Sequence, residues 1–543
     1  MLEKALLGGQ MGRDKFLKGA FILTVAGILV KIIGSANRIF LSRLLGGEGI
    51  GLYQMAYPIY LLALSISSAG IPVAISIIVA ERLALGDYRG ANRVFKISLA
   101  LMSITGLVFA SLLFFGADFL VNEQIVRDPR AYYSIISLAP AVFFATMLSS
   151  YRGYFQGYQM MTPTASSQII EQFIRVMTMI SFAYLLLPMG IEYSAAGASF
   201  GAAPGALCGL LVLLYCYFKH QKTIAVQIAT QKETKLVSAK TIVNKIVRLA
   251  LPVSLANIMI PVVSSLDMLI VPKRLEVAGF GVEQATTLFG YLTGMGLPLI
   301  MMATIPTASL AASIVPAISE AYTLTNYESV NKKIATALRL CALITIPASL
   351  GLLVLATPIS QMLYATPAAG TSIAVLAPAI FFLGLHQVTT GILQGLGKTI
   401  VPVINMIISA GVKVLLAWIL TANPSYGIIG AAFATDIDFL LAVVLNVLFL
   451  KKQIRVNFPI KDILRITLSA IIMGYVVHWS HGKLIEALMS NSLATLSSII
   501  LGGMVYCLML VITGSISAQE IRAIPVVGNK LANTMLKLRL IRE

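Results

Sequence analysis

The feature that most constrains the fold is a series of long apolar stretches. A transmembrane helix needs about 20 mainly apolar residues, and the 543-residue chain contains fourteen such stretches. They run approximately over 19–45, 52–80, 95–117, 131–151, 165–187, 195–218, 247–272, 286–318, 334–356, 371–393, 400–421, 428–450, 463–480 and 493–514. Because backbone polar groups inside a bilayer must bond within their own segment, we interpret these stretches as helices. The sequence therefore predicts an all-α polytopic membrane protein with about 14 transmembrane helices.

The basic residues predict how the chain is oriented in the membrane. Of its 40 Lys and Arg, 30 fall on one side if both termini are cytoplasmic, and only 6 fall on the other. Cytoplasmic loops of membrane proteins are enriched in Lys and Arg, so we expect both termini inside. This distribution also accounts for the net charge of +18, and we expect no nucleic-acid partner.

An internal duplication divides the predicted helices into two sets. "PAVFFATMLSSYRGYFQG" from Pro140 and "PAIFFLGLHQVTTGILQG" from Pro378 share the pattern P-A-[VI]-F-F, eight residues, then G-x-x-Q-G. "AERLALGDYRGANR" from Ala80 and "SEAYTLTNYESVNK" from Ser319 form a second pair. Both sets begin on the cytoplasmic side, so we predict two six-helix lobes in a parallel repeat, related by a pseudo-two-fold axis along the membrane normal.

The repeat gives a domain organisation with two extra C-terminal helices. We predict an N-terminal lobe over 1–219, a cytoplasmic linker over 220–245, a C-terminal lobe over 246–452, spans 13 and 14 within 453–514, and a tail over 515–543. The tail begins with a capping-box pattern, Ser517 to Glu520. It continues with apolar and basic residues at helical spacing, which predicts an amphipathic helix on the cytoplasmic surface.

Four basic residues lie deep within predicted spans, away from their ends: Lys31, Arg38, Arg175 and Lys413. A charge at the centre of a bilayer costs about 2.5–3.5 kcal/mol even on lenient scales. On a helix, one polar stripe contains Thr24, Lys31, Ser35, Arg38 and Ser42. The stripe has two interpretations: its cations pair with carboxylates on neighbouring helices, or they line a water-filled cavity that attracts an anion. The second interpretation makes Lys31, Ser35 and Arg38 candidate substrate-binding residues.

The other charges within the spans differ between the two lobes. Arg175 is a further candidate for anion binding, although Glu171, four residues away on the same helix, could neutralise it. The second lobe contains Asp267, Asp436 and Asp438 against Lys413 alone. A cationic first lobe and an acidic second lobe suit the coupling of an anionic cargo to Na⁺ or H⁺, although salt bridges between the lobes would explain the same charges.

The sequence contains no convincing catalytic motif. "GLGKT" at 395–399 lacks the earlier glycine of a phosphate-binding loop, since position 392 is Ile392. Asp436 and Asp438 are two residues apart, so on a helix they point in nearly opposite directions and do not share a metal. We therefore predict a protein that is not an enzyme and has no cofactor besides a coupling Na⁺ or H⁺.

The N-terminal run "FLKGAFILTVAGILVKIIGSANRIFLSRLLGGEGIGLYQMAYPIY", with "GIPVAISIIVAERLALGDYRGANRVFKIS" after it, resembles the stage V sporulation protein B branch of the polysaccharide transporter family. That family lies within the multidrug/oligosaccharidyl-lipid/polysaccharide flippase superfamily. The resemblance implies that the chain flips a polyprenyl-diphosphate-linked saccharide, such as the peptidoglycan precursor lipid II, across the bacterial cytoplasmic membrane. It also implies a cationic cavity, a groove at spans 13 and 14 for the lipid tail, and cell-wall synthesis proteins as partners. Asp267 is the first candidate for a Na⁺ site, and Asn405 is the second.

Other functions are compatible with part of this pattern. A cation-coupled multidrug exporter of the same superfamily would hold a cationic cargo at Asp267, Asp436 or Asp438. A membrane glycosyltransferase would need long outer loops with catalytic carboxylates, whereas the outer loops here are short. A scaffold role would leave the cations within the spans without a use.

Overall fold

The computed structural model describes residues 2–68, 70–231, 237–454 and 459–515. These residues are almost entirely helical and include no β-strand, so the all-α prediction is confirmed. The predicted amphipathic tail, with Ser517 and Glu520, lies outside the described residues apart from Ser515.

The helices are numbered here in chain order. They are α1 Leu2–Ser68, α2 Ile71–Ala84, α3 Tyr88–Asn122, α4 Tyr132–Gly157, α5 Met161–Leu186, α6 Ile191–Phe200, α7 Ala202–Thr230, α8 Ala239–Val277, α9 Val282–Phe289, α10 Leu297–Ala303, α11 Ile305–Thr323, α12 Tyr327–Val354, α13 Ala356–Tyr364, α14 Gly370–Leu376, α15 Ala379–Gly395, α16 Ile400–Leu420, α17 Ile428–Gln453, α18 Ile460–Leu488 and α19 Asn491–Ile512. Between α9 and α10, Gly290–Gly296 forms a π-helix.

The structure does not confirm the count of fourteen spans. Among the described residues, ten helices are long and apolar enough to cross a membrane, or eleven if one bent pair counts as a single span. One of the ten is Ile22–Ala84, which contains the first two predicted spans. Gly46 interrupts α1 with φ 62° and ψ −168°, a conformation that glycine tolerates. α1 therefore holds two helical segments, and the number of spans stays a prediction.

The predicted duplication reappears as equivalent packing contacts. A methyl group on Gly153 of α4 would lie 2.6 Å from the carbonyl oxygen of Pro72, and one on Gly391 of α15 would lie 2.6 Å from that of Ala311. Gly157 and Gly395 likewise press against α2 and α11, respectively. The repeated G-x-x-Q-G is thus a small-xxx-small surface that lets two backbones approach closely, as in many membrane helix pairs.

The same correspondence extends to the start of the next helix. Asp87 caps α3 by accepting the backbone N–H of Gly90, and Asn326 caps α12 by accepting that of Ser329. Both side chains satisfy an amide that the first helical turn leaves unbonded. The two repeats therefore share helix ends as well as helix contacts.

The chain forms two compact units. One comprises Met1–Lys273 and Phe280–Gly290, and the other comprises Arg274–Gly279 and Tyr291–Glu543. Within the first unit, Ile242, Ile246 and Ala250 of α8 belong to a buried apolar cluster that also includes residues of α2, α3, α4 and α7. Packing thus groups most of α8 with the first unit, whereas the sequence repeat assigns it to the second lobe. The lobe boundaries are defined by the repeat and stay a prediction.

Two features of the first unit join distant parts of its chain. Gly51 and Gly290 lie where α1 meets α9, and a methyl group on either would come within 2.1 Å of a backbone oxygen, that of Thr286 or Gly47, respectively. Nearby, Arg130 forms ion pairs with Asp128, Glu48 and Glu283. Asp128 also accepts a 2.8 Å hydrogen bond from the Thr286 hydroxyl.

In the second unit, the two extra C-terminal helices pack on α12. The Tyr506 hydroxyl of α19 donates a 2.9 Å hydrogen bond to the carbonyl oxygen of Leu343. An apolar cavity of about 370 Å³ lies among these helices, and its lining includes Pro347, Gly351, Met473 and Gly502.

Candidate functional site

The polar stripe of α1 lies beside α5. The side-chain amide of Gln172 would be 3.1 Å from a methyl group on Gly34, and Asn37 donates a 3.4 Å hydrogen bond to the sulfur of Met179. Residues 31–38 of α1 therefore run along the stretch of α5 that carries Arg175. The sequence placed Lys31, Arg38 and Arg175 in one lobe, and the structure brings α1 and α5 into contact there.

Among the described residues, no neighbouring carboxylate neutralises the two α1 cations. Lys31 is exposed on the helix surface, and Ser35 and Arg38 are half-buried. Within the described part of the chain, neither Lys31 nor Arg38 has a hydrogen-bond or ion-pair partner. Of the two interpretations of the stripe, salt bridges to neighbouring helices therefore find no support among these residues.

Arg175 forms an ion pair with Glu171, which also pairs with Arg152, a residue just beyond the end of the predicted fourth span. Glu171 accepts 2.8 Å hydrogen bonds from Arg175 on one oxygen and from Arg152 on the other. The Arg152 Nε also donates to the Ser167 hydroxyl at 3.1 Å. All three charged side chains are only 15–18% exposed. The pairing of Glu171 with Arg175 was one of the expected alternatives, but two positive charges now share one negative charge.

Three tyrosines of α1 lie next to these arginines. Tyr53 and Tyr57 stack with ring centroids 5.3 Å apart, and Tyr57 and Tyr60 follow at 5.8 Å. Tyr53 interacts electrostatically with both Arg38 and Arg175. Arg175 interacts in the same way with Tyr57 and Tyr60.

A cavity of about 240 Å³ opens among these residues. Its lining includes Tyr57 and Tyr60 from α1, Arg152 from α4, and Glu171 and Arg175 from α5. Lys31 and Arg38 do not line it. The first unit therefore presents two cationic regions. One is the α1 pair, which has no ion-pair partner in the part of the chain that the structure describes, and the other is an enclosed cluster of two arginines and one glutamate.

Sequence reasoning missed Arg152 and the tyrosines. The predicted fourth span ended at residue 151, whereas α4 continues to Gly157 and keeps Arg152 inside the helix. One signal was available, because Arg152 lies within the repeated segment, where the second copy has Thr390. A charged residue in one copy and a neutral one in the other marks a position where the two lobes differ in role.

The candidate cation-coupling residues lie in different units. Asp267 is half-buried on α8 in the first unit. Asn405 and Asp436 are buried in the second unit, where the Asn405 amide donates a 2.8 Å hydrogen bond to Asn446. Asp436 keeps one buried oxygen without a hydrogen-bond partner among the described residues. The described residues contain no group of three or more His, Cys, Asp or Glu side chains arranged to hold a metal ion.

Comparisons with known proteins agree with this architecture. The sequence profile of a family described as "Polysaccharide biosynthesis protein" matches residues 16–322, which is more than half of the chain. A second profile, MatE, matches residues 252–419. Stage V sporulation protein B of Bacillus subtilis (strain 168) is 31% identical over 518 residues, which cover 95% of this chain and 99% of that protein.

Two further comparisons involve lipid II flippases. Lipid II flippase MurJ of Bacillus subtilis (strain 168) is 27% identical over 520 residues, which cover 91% of this chain and 94% of that protein. The solved structure titled "Lipid II flippase MurJ, inward closed conformation" has a TM-score of 0.66 at 18% identity. That match covers 90% of this chain and 98% of the other, and it shows that the fold is shared. The chain therefore belongs to the polysaccharide biosynthesis protein family of the multidrug/oligosaccharidyl-lipid/polysaccharide superfamily, as a multi-pass bacterial membrane transporter or flippase.

Proposed function

We propose that this protein moves a polyprenyl-diphosphate-linked saccharide, lipid II or a related cell-wall precursor, across the cytoplasmic membrane by alternating access. The observation that carries the proposal is the pair of α1 cations, Lys31 and Arg38, which have no ion-pair partner within the described residues and lie along α5. Such cations are costly in a bilayer unless they face water or an anion.

A diphosphate is a suitable anion for this pair. It carries about two negative charges, and charge-assisted hydrogen bonds to Arg and Lys are roughly twice as strong as neutral ones. Ser35, one turn from both cations, adds a hydroxyl that donates or accepts. Arg175 adds positive charge nearby through its position beside Tyr53. Lys31, Ser35 and Arg38 would bind the diphosphate while it moves from one membrane surface to the other, and Arg175 would contribute through its charge.

The relatives support a lipid-linked cargo. Over nearly its whole length the chain is similar to a protein named lipid II flippase, and more similar to stage V sporulation protein B. The apolar cavity between α12, α18 and α19 supports the expected groove for the lipid tail, because its lining offers almost no polar group. Enzymes that make or polymerise cell-wall precursors would then be the partners that supply and consume the cargo.

A coupling cation would act through the acidic residues. Asp267, Asn405 and Asp436 remain our candidates, and the buried oxygen of Asp436 without a partner among the described residues supports a role in binding Na⁺ or H⁺. Carboxylate and amide oxygens are the ligands that a hard cation prefers. Transport by Asp436→Asn protein would then no longer respond to the cation gradient that drives the wild type.

The test follows fluorescent lipid II in proteoliposomes and measures how much of it each leaflet exposes with time. Wild type, Lys31→Ala/Arg38→Ala and a matched control, Arg89→Ala/Lys96→Ala, are compared with and without a Na⁺ gradient or a membrane potential. The control removes the same charge from exposed positions at the start of α3. We expect transport to collapse only in the Lys31/Arg38 variant. Full transport by that variant, folded and inserted, would refute the assigned site.

A cation-coupled multidrug exporter is the second candidate. The MatE profile covers Asp267 and favours this function. In that case Asp267, Asp436 or Asp438 would hold a cationic cargo. Proteoliposomes that export a cationic dye, but move lipid II no faster than protein-free liposomes, would support this candidate against the first.

A further inference from the structure

We propose that the cavity between α1, α4 and α5 binds a carboxylate carried by the saccharide head group of the cargo. This inference rests on the proposed function and adds a second anion site to it. The site consists of Arg152, Glu171 and Arg175, with Tyr57 and Tyr60 on the facing helix.

The arginines keep unused hydrogen-bond donors at this cavity. A guanidinium has five N–H donors. Arg152 donates from Nε to Ser167 and from Nη2 to Glu171, and Arg175 donates from Nη2 to the other oxygen of Glu171. The Nε of Arg175 is buried and has no hydrogen-bond partner among the described residues. At least one donor therefore remains without an acceptor among the described residues, on a side chain that lines the cavity.

The charge of the cluster favours an anion. Two guanidinium groups share a single carboxylate, so the enclosed cluster has one uncompensated positive charge. A second carboxylate would neutralise it and would accept two parallel N–H bonds from one guanidinium plane. Glu171 holds both arginines in place, since it bonds to each of them through a different oxygen.

The size and lining of the cavity suggest what carries the carboxylate. Its volume of about 240 Å³ is below the range of about 300–1,000 Å³ that is typical of pockets for drug-sized ligands. One ring or side group fits, whereas a complete head group does not. Tyr57 and Tyr60 each present an apolar ring face and a hydroxyl, which match the apolar faces and hydroxyl rim of a sugar. The cavity therefore suits a carboxylate together with a small part of the head group next to it.

This site is separate from the α1 pair. Lys31 and Arg38 do not line the cavity, and neither has an ion-pair partner within the described residues. A cargo with a diphosphate and a carboxylate would engage both regions, whereas a cargo with a neutral saccharide would engage only the α1 pair. The two regions together would then select acidic, lipid-linked head groups.

The experiment compares two cargoes that share the lipid and the diphosphate. One is lipid II, whose peptide has free carboxylates, and the other has a neutral disaccharide without the peptide. Leaflet exposure is measured in proteoliposomes for wild type, Arg152→Gln and Arg152→Lys, with Arg127→Gln as the control. Arg127 is a half-buried arginine in the segment before α4, away from the cavity, and it donates a hydrogen bond to Gln124. Arg152→Lys keeps the charge opposite Glu171 but loses the planar fork, so it remains informative if Arg152→Gln is poorly folded.

We expect Arg152→Gln to slow lipid II transport at least tenfold and the neutral cargo less than twofold. Arg152→Lys should slow lipid II by a smaller factor, and Arg127→Gln should change neither rate. Equal slowing of the two cargoes, or no slowing of either, would overturn the carboxylate site and leave the proposed function intact. If the wild-type protein moves neither cargo, the proposed function fails as well.

Discussion

Arg152 on α4 and Glu171 on α5, nineteen residues apart in the chain, are joined by a 2.8 Å ion pair with both side chains more than four-fifths buried. Because Glu171 also holds Arg175, this pair fixes the position of both guanidinium groups. Removing the carboxylate leaves two positive charges facing each other with nothing to compensate them.

We therefore predict that Glu171→Gln destabilises the protein strongly. Removal of one partner from a buried ion pair costs about 3–5 kcal/mol in soluble proteins. The double variant Arg152→Gln/Glu171→Gln, which leaves a single buried cation, should recover part of this loss. The measurement is the Tm of the detergent-solubilised protein, which is the temperature at which half of the monodisperse peak in size-exclusion chromatography is lost after heating. A double variant less stable than Glu171→Gln would contradict the prediction.

The second prediction concerns the repeated glycines. Gly153→Ala and Gly391→Ala should each lower the Tm by a similar amount, because each places a methyl group 2.6 Å from a carbonyl oxygen of a neighbouring helix. The matched controls are Gly116→Ala and Gly411→Ala, at helical positions with no atom within 4 Å of the added methyl group. Alanine is a better helix former than glycine by roughly 0.5–1 kcal/mol, so the controls should keep or raise the Tm.

The third prediction concerns pH and the segment before α4. Burial opposes the ionisation of Asp128, but hydrogen bonds from Arg130 and Thr286 and the charge of Arg130 outweigh it and hold the pKa of Asp128 below its usual value. The ordinary pKa of Asp is about 3.9. A carboxyl with a depressed pKa in the folded state stabilises the fold above its unfolded pKa, and this stabilisation is lost as the pH falls through its folded pKa.

The Tm should therefore fall as the pH is lowered from neutral to below about 4, and the fall should be smaller in Asp128→Asn. At neutral pH the same variant should be less stable than the wild type, since it loses its ion pair with Arg130. Thermal melts from pH 7 to pH 3 test both statements. Parallel melting profiles for the two proteins would exclude a contribution from Asp128.

The fourth prediction separates the two α1 cations. Arg38→Ala and Lys31→Ala should each slow lipid II transport on the order of tenfold, since a hydrogen bond to a charged group contributes about 1.5–3 kcal/mol. The two residues are seven positions apart, so their effects should combine multiplicatively if each contacts a different phosphate group. Arg38→Lys keeps the charge and should retain most of the activity. The measurement is the initial transport rate in proteoliposomes for the two single variants and the double variant. A double variant no slower than either single variant would contradict independent roles.

The sequence predicted those features that depend on local pattern. Apolar stretches gave the helical class, and the spacing of Pro, Gly and Gln revealed a duplication that the packing of Gly153 and Gly391 confirms. The sequence did not predict that α4 continues past residue 151. Arg152 follows an apolar run, so the sequence pattern predicts that it lies in a loop. In the structure its charge is compensated by Glu171. A partner nineteen positions away cannot be identified from a short stretch of sequence.

The number of spans could not be predicted for a similar reason. The first two apolar runs are separated by few residues, and the break between them depends on the backbone of one residue, Gly46. The tyrosines were missed because an aromatic residue in an apolar run is usually part of the core. Their role as neighbours of Arg175 depends on how α1 lies against α5.

The close approach of α1 and α9 has a consequence for how the two copies of the repeat change over time. Gly51 and Gly290 are 239 positions apart, and so are their opposing residues, Gly47 and Thr286, which is the offset between Ala80 and Ser319 in the repeat. Gly51 lies against Thr286, and Gly290 lies against Gly47. The two contacts are therefore the same contact seen from either copy, as in a self-complementary dimer interface. A side chain at position 51 or at position 290 would displace the backbone of the other copy. Substitutions at this crossing are therefore restricted in both halves of the sequence by the same contact.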